Sequence, residues 1–266
     1  MPLPAASDSS TVVVTGASSG IGAELARELS RRGYHVTLVA RRIELLDALA
    51  RELGNAEAVS CDLADAAARH ALTDRLVHGE RVISGLCNNA GYGSSGAFAK
   101  LPLAREADEV RLNVEALHAV TAAILPGMVE RRSGAILNVA SIAGFQPLPG
   151  MATYAATKAF VIAFSEALAA ELRGSGVSCS VLCPGPTRTD FSRIAGVGDI
   201  ERAFGATFAS AALVARAGVE AMVSGRRIAF ARRRDRAVAL AGRFAPRSLE
   251  LAAVHAATLG PLRRRR

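Results

Sequence analysis

Short apolar runs and amphipathic stretches alternate along this chain of 266 residues. The β-branched run at 11–15 (TVVVT) leads into the glycine-rich GASSGIG. The amphipathic AELARELSRRG follows, and Gly33 closes it as a helix stop. The same unit then repeats. HVTLVA (35–40) and EAVSCD (57–62) predict a second and a third strand, and VISGLC (82–87), after an alanine-rich helix, predicts a fourth. Next come a long helical stretch over 105–131, a strand in GAILNVAS (134–141), a helix over 152–173 and a strand in VSCSVLC (177–183). A helix near 210–224 and the short run RRIAFA (226–231) complete the series. Strands and helices taking turns in this way predict an α/β fold, a Rossmann-type doubly wound parallel sheet with helices on both faces.

No linker interrupts the alternation before about residue 232, so the expected organisation is a leader (1–10), one domain (11–231) and a C-terminal extension (232–266). MPLPAASDSS lacks a basic start and an apolar centre, which predicts a disordered leader and not a signal peptide. Mixed signals over 187–208 read as a flexible lid.

Charge sharpens this division. The net charge is +8, yet residues 226–266 hold twelve arginines against Asp235 and Glu250. The basic character therefore belongs to the extension, which splits at Pro246 and ends in four arginines. A solvated tail is the plain expectation, with peripheral contact at an anionic membrane surface, worth about 1 kcal/mol per charge, as the alternative. Nucleic acid fits poorly, since the chain has no Trp and the tail has no aromatic interleaving. No uncharged apolar run reaches the ~18 residues of a membrane span. Cys61, Cys87, Cys179 and Cys183 fall at or beside apolar runs with no C-x-x-C pair, as free thiols of a reducing, cytoplasmic protein would. The five histidines form no ligand spacing, so no metal site is expected.

The chemistry gathers at the carboxyl ends of the strands, where a doubly wound sheet opens its ligand crevice. Gly16, Gly20 and Gly22 permit a tight turn, and Ser18, Ser19 and Ile21 complete it. A pyrophosphate would sit there at the helix N-terminus. After the second strand an NAD site carries an acid; this chain has Ala40, then Arg41 and Arg42. Guanidinium groups suit the 2′-phosphate of NADP, through Arg41 chiefly and Arg42 or Ser18 secondarily. The Asp62 carboxylate is placed to accept from an adenine amine. Tyr154 and Lys158 are four apart in a run of helix formers and so share one face. An ammonium ~6 Å from a phenol, at an effective dielectric of roughly 20, favours the phenolate by ~2.8 kcal/mol, about two pKa units. Ser141 ends an apolar run and offers a hydroxyl at the same mouth. Lys158 is one of only two lysines, Lys100 being the other.

TGASSGIG (15–22), NNAG (88–91), Asn113, Ser141, Tyr154-x-x-x-Lys158 and PGPTRT (184–189) together resemble the classical short-chain dehydrogenase/reductase family, over residues 11 to about 230. The resemblance implies seven parallel strands, a nicotinamide cofactor and a Ser-Tyr-Lys site supported by Asn113. Ser141 would orient a carbonyl oxygen, and Tyr154 would protonate it as hydride reaches the carbon. Lys158 would lower the tyrosine pKa and bind the nicotinamide ribose, while Asn113 would hold a water leading to solvent. Asn89, Ala90 and Gly91 would floor the cofactor cleft, with Thr187 and Thr189, after Pro184 and Gly185, at the carboxamide or a phosphate. The nearest branch is that of NADP-preferring ketoreductases and hydroxysteroid dehydrogenases.

The expected reaction is thus NADP(H)-dependent interconversion of a carbonyl and a secondary alcohol on a small apolar substrate. Tyr92, Phe145, Gln146, Leu148, Met151 and Phe191 are the expected pocket. The alternative is a non-catalytic NADP-binding or membrane-docking protein, which has no physical need of the intact Ser141, Tyr154, Lys158 and Asn113 set. The helix over 152–173 carries Phe160, Ala163, Phe164, Ala167 and Ala170 opposite its sheet-facing side. A helix apolar nearly all round is covered twice, which predicts a homodimer or homotetramer.

Overall fold

A computed structural model of the chain describes residues 3–196 and 207–244. Six main strands, β1 (Ser10–Thr15), β2 (Val36–Ala40), β3 (Ala56–Ser60), β4 (Val82–Asn88), β5 (Gly134–Val139) and β6 (Val177–Leu182), form the body of the sheet. A ribbon of β7 (Thr187–Arg188) and β8 (Ala209–Ser210) stands apart, and β9 (Ile228–Ala229) completes the main sheet. The order is β3-β2-β1-β4-β5-β6-β9, and every pairing is parallel. The seven-stranded Rossmann-type fold is as the alternation predicts. The chain reverses its direction of winding between β1 and β4, and a crevice opens there.

The inner strands are buried on both faces, so continuous apolar runs suit them better than alternating ones. All six residues of β1, β5 and β6 are buried. Val12 and Val14 face a core layer with Leu25 and Leu29 of helix α1 (Gly20–Arg31), whereas Val13 faces the opposite layer. Helices α2 (Ile43–Leu53) and α3 (Ala66–Val77) follow on opposite sides, with Leu46 in the first layer and Leu72 in the second. One buried polar chain crosses the second layer. Asn88 Nδ2 donates to Asn138 Oδ1 on β5 and to Thr121 Oγ1, both at 2.9 Å, and Asn138 Nδ2 donates to Ser165 Oγ at 2.9 Å. Asn88 and Asn138 are direct partners in the ladder, so this link holds the register of β4 on β5 beneath the crevice.

The predicted long helix is α4 (Leu103–Val110), a π-helical turn (Arg111–Ala116) and α5 (Leu117–Glu130) in unbroken succession. By length and hydropathy this stretch is long and apolar enough for a membrane span. It lies instead along the sheet as a layer helix, burying Asn113, Val120, Ile124 and Met128. Helix α6 (Ala152–Glu171) packs beside it, and a short α7 (Phe191–Ile194) follows β7. Helix α8 (Ala211–Ser224) covers the first layer with Val214, Val219 and Met222.

The leader departs from expectation at its start. Leu3 is buried and its N–H donates to Met222 O at 3.1 Å, while Pro4 O accepts from the Tyr34 hydroxyl at 3.0 Å. These contacts are with elements far along the chain, which local composition does not reveal. At the other end the extension begins as part of the domain. Helix α9 (Arg233–Phe244) buries Asp235, whose carboxylate accepts two hydrogen bonds from Arg232, each 2.9 Å. Of the expected lid, residues 197–206 lie outside the described residues, as do Pro246 and the terminal arginines of the tail.

Candidate active site

The crevice has two walls. The first is the turn between β1 and α1, where Gly16 and Gly20 have φ of 67° and 58°, in the left-handed region. A Cβ on Gly16 would come 2.8 Å from Ala90 Cα, and one on Gly22 would come 2.2 Å from Gly16 O. The glycines are thus dictated by how tightly the turn packs on the loop after β4. That contact is hydrogen-bonded as well. Thr15 Oγ1 accepts from the N–H of Asn89 (3.0 Å) and of Ala90 (3.1 Å), and Asn89 Nδ2 donates to Thr15 O (2.9 Å). Ser19, the N-cap of α1, gives the helix no side-chain hydrogen bond. First-turn N–H groups, including that of Ile21, are left for an anion.

The guanidinium of Arg42 arches over this turn. Its Nη2 donates to Ser18 Oγ at 2.9 Å and to Ser19 Oγ at 3.2 Å. Arg41 leans the other way, with Nη1 3.9 Å from Asp62 Oδ2, and its side chain is 75% exposed. Asp62 Oδ1 accepts from Ala64 N–H. Uncapped helix donors and a tethered guanidinium fit the pyrophosphate and 2′-phosphate of an NADP-type nucleotide. The PGPTRT loop closes the same space. Thr189 lies over Gly20, where a Cβ would meet its methyl at 3.1 Å, and Thr187 Oγ1 donates to Gly185 O at 2.8 Å. Gly185 leaves no room for a side chain against Asp235 of α9. Pro184 O accepts from Ile142 N–H at 3.0 Å.

The second wall carries the proton chemistry. Ser141 follows β5 and caps a 3₁₀ turn (Ile142–Phe145): its Oγ accepts from Ala143 N–H at 3.1 Å and donates to Pro184 O at 3.5 Å. Tyr154 and Lys158, in the first turns of α6, are both buried. Lys158 Nζ donates to Val139 O at 2.9 Å and lies 5.8 Å from the Tyr154 ring centroid. Asn113, in the π turn, clamps the loop to α6. Its Nδ2 donates to Tyr92 O (2.8 Å) and Thr157 Oγ1 (3.1 Å), and its Oδ1 accepts from Tyr92 N–H (3.1 Å). A Cβ on Gly91 would come 2.8 Å from Asn113 Oδ1 and 3.4 Å from Lys158 Nζ, so loop, amide and ammonium are contiguous. π turns are rare and concentrate at functional sites.

Burial governs the ionisation here. It pushes the Tyr154 phenol up to about 12, against the opposing pull of the nearby Ser141 hydroxyl. It pulls the Lys158 ammonium down to about 8, against the nearby Glu109 carboxylate. The expected lowering of Tyr154 by Lys158 is therefore outweighed. Ammonium and phenol are both desolvated, and each is driven toward its neutral form. Burial likewise raises the thiol of Cys183, which lies near Lys158.

The expected pocket residues divide. Met151 and Phe191 gather around Tyr154, whereas the Tyr92 side chain turns to Arg105 of α4. Phe191 meets the Tyr154 ring at 5.1 Å between centroids, and a Cβ on Gly93 would lie 3.0 Å from both rings and 3.2 Å from Met151 Cε. The Tyr92 hydroxyl donates to Arg105 O at 2.8 Å. Phe145 instead packs on Phe230 (6.0 Å). With Gln146 and Leu148 it lines a separate hollow of about 440 Å³ beside Ala152, Ala155 and Ala159. Thr15 and Thr157 serve the site without being singled out in the sequence, because nothing local marks a threonine as a latch between two loops.

The short chain dehydrogenase family model matches residues 10–196. A very-long-chain 3-oxoacyl-CoA reductase of Laccaria bicolor is 41% identical over 175 residues, 62% of this chain and 51% of that protein's length. The solved short-chain dehydrogenase of Sphingobium yanoikuyae in complex with NADPH superimposes with a TM-score of 0.79 at 35% identity, covering 88% of this chain and 92% of that one. A short chain dehydrogenase/reductase of Burkholderia phymatum in complex with NAD gives a TM-score of 0.80 at 25% identity, with 88% and 92% covered.

Proposed function

The chain belongs to the short-chain dehydrogenase family of oxidoreductases, and from that premise we propose that it reduces a ketone or aldehyde on an apolar substrate to the alcohol, using NADPH. One observation carries the reading: a hydroxyl, a phenol and an ammonium (Ser141, Tyr154, Lys158) are held at the crevice whose other wall is built for a dinucleotide. A protein that only bound the nucleotide would have no use for a buried phenol.

Bound NADPH supplies the hydride. The chain's own residues do the rest. Ser141, fixed by Ala143 N–H and Pro184 O, is rigid enough to orient a carbonyl oxygen. Tyr154 keeps its proton across the physiological range, its pKa being about 12, and so serves as general acid in the reducing direction. Lys158, near 8, holds enough charge at neutral pH to steady the phenolate left behind. The side chains of Met151 and Phe191, with Gly93, keep water from the phenol and favour an apolar substrate body. NADPH is preferred to NADH in this reading because Ala40 stands where a ribose-selecting acid would, and Arg42, tethered to Ser18, offers a cation just beyond it. The test is NADPH oxidation followed at 340 nm against a panel of aldehydes and ketones. Turnover of apolar ketones that ceases in Tyr154→Phe is the expected result. Absence of turnover with every carbonyl, in protein that binds NADPH, overturns the reading.

A further inference from the structure

Helix α4 and the π turn present Glu106, Glu109 and Asn113 along one face, at spacings of three and four. All three are buried, and Glu109 is wholly so. This face meets the start of α6 rung by rung. Glu106 accepts from the Thr153 hydroxyl, and Asn113 donates to Thr157 Oγ1 at 3.1 Å. Glu109 falls between these rungs, at the level of Tyr154. The loop after β4 covers it with Ser94, whose Oγ accepts from Arg105 Nε (3.1 Å) and whose O–H is left to face Glu109.

By strict hydrogen-bond geometry neither carboxylate oxygen of Glu109 is paired; the donors beside it are the hydroxyl and N–H of Ser94, which favour its charged form but do not overcome burial. The groups facing it are Arg105 and Glu106 of its own helix, Tyr92 and Ser94 of the loop, and Tyr154 and Lys158 of α6. The Arg105 guanidinium is committed elsewhere, to Ser94 Oγ, Gly93 O and Ile194 O (2.6 Å), and lies over the Tyr92 ring at 5.0 Å. A buried carboxylate with no ion-pair partner is among the costliest groups a core can hold, and an apolar side chain of that size would pack there without that penalty. A group kept at such a cost beside a reactive pair points to function.

We propose that Glu109 is a positioning residue for the proton transfer at Tyr154: its carboxylate is the counter-charge that keeps the Lys158 ammonium and the Tyr154 phenol protonated inside a dry site. The proposal rests on the reductase reading above. Negative charge at Glu109 raises both neighbours, which biases the pair toward proton donation and so toward reduction. The carboxyl itself is pushed up to about 7 by burial, so the bias strengthens as pH rises through neutrality.

The chain offers an unusually clean test, because Lys158 and the exposed Lys100 are its only lysines. Uniformly ¹³C/¹⁵N-lysine-labelled protein gives two side-chain resonances, with Lys100 as the internal control. In Glu109→Gln the Lys158 titration moves down by about half a pH unit or more, roughly threefold in ionisation ratio, and Glu109→Asp restores it. In parallel the upper limb of the kcat/KM profile for carbonyl reduction moves to lower pH in Glu109→Gln. A Lys158 titration unchanged in Glu109→Gln, with Lys100 also unchanged, overturns the proposal. The lysine readout needs no substrate, so its outcome is distinguishable from failure to find a reducible carbonyl.

Discussion

Replacing Arg42 by Ala tests how this crevice selects its nucleotide. Arg42 Nη2 is held by two serine hydroxyls, at 2.9 and 3.2 Å, so its guanidinium is already oriented over the turn. A hydrogen bond to a charged group contributes about 1.5–3 kcal/mol. Arg42 is exposed, and solvent screening argues for the lower end of that range. A loss of about 1.5–2 kcal/mol corresponds to a roughly 10- to 30-fold weaker Kd for NADPH. NADH lacks the 2′-phosphate and should bind almost as before. Arg41→Ala should cost NADPH only a few-fold, because that side chain is three-quarters exposed and leans toward Asp62. This ordering reverses the weight that the sequence places on Arg41. Titration calorimetry with each nucleotide, at low and at high salt, measures these affinities for wild type and both variants without a substrate. Equal weakening of NADPH and NADH in Arg42→Ala, or a larger effect from Arg41→Ala, would refute the assignment.

Four further outcomes are expected. Tyr154→Phe should lower turnover by about 10²–10⁴ with NADPH affinity unchanged; residual activity within tenfold of wild type would mean that another acid serves. Asp235→Ala leaves the half-buried Arg232 with no carboxylate and removes two charge-assisted hydrogen bonds, which should cost about 3 kcal/mol. Calorimetric unfolding should find its Tm roughly 6–12 °C lower, against little change for the exposed Arg234→Ala. Glu109 is raised in the folded state from 4.5 to about 7, so its carboxylate penalises folding increasingly as pH rises through that interval. Glu109→Gln should therefore stabilise the fold by about 3 kcal/mol at pH 8 and by nothing below pH 4.5, and equal Tm gains at both pH values would contradict this. On α6, Phe160 is exposed and stacks on Phe164 at 5.7 Å beside exposed Ala156, Ala163 and Ala167. Light scattering should give a dimer or tetramer that Phe160→Glu dissociates without unfolding, and a monomeric wild type would defeat the pairing of this face.

The sequence made most of the sheet legible because a strand buried on both faces must be a continuous apolar run, as GAILNV of β5 is. The phosphate-binding turn was legible for a similar reason: three glycines next to a strand end mark places where a Cβ will not fit. Tyr154 and Lys158 were marked by their helical spacing together with the ordered motifs around them. Ionisation was not legible, because the dryness of the site depends on the loop holding Gly93 and on Phe191, which come from distant parts of the chain. Glu109 reads in sequence as one more charge on a surface helix, and only the packing of α4 on α6 turns it inward. Leu3 and Asp235 escape for the same reason. Each lies in a stretch whose composition is that of a tail, and its burial is decided by partners more than 45 residues away.

The reversal between β1 and β4 also bears on how the molecule comes to exist. Val12 pairs with Gly85, so the central contact of the sheet joins residues that leave the ribosome far apart in time. Until β4 is made, β1 has a partner on one side only, and its other edge of backbone donors and acceptors stands bare between buried valines. Parallel pairing across such a separation is slow, since loop closure must precede any gain from contact. The interval after β3 is thus when a nascent chain is most open to joining a neighbour instead of itself. Both walls of the crevice wait on the same event, because the loop that latches Thr15 and the loop that Asn113 clamps are one segment, Asn89–Tyr92.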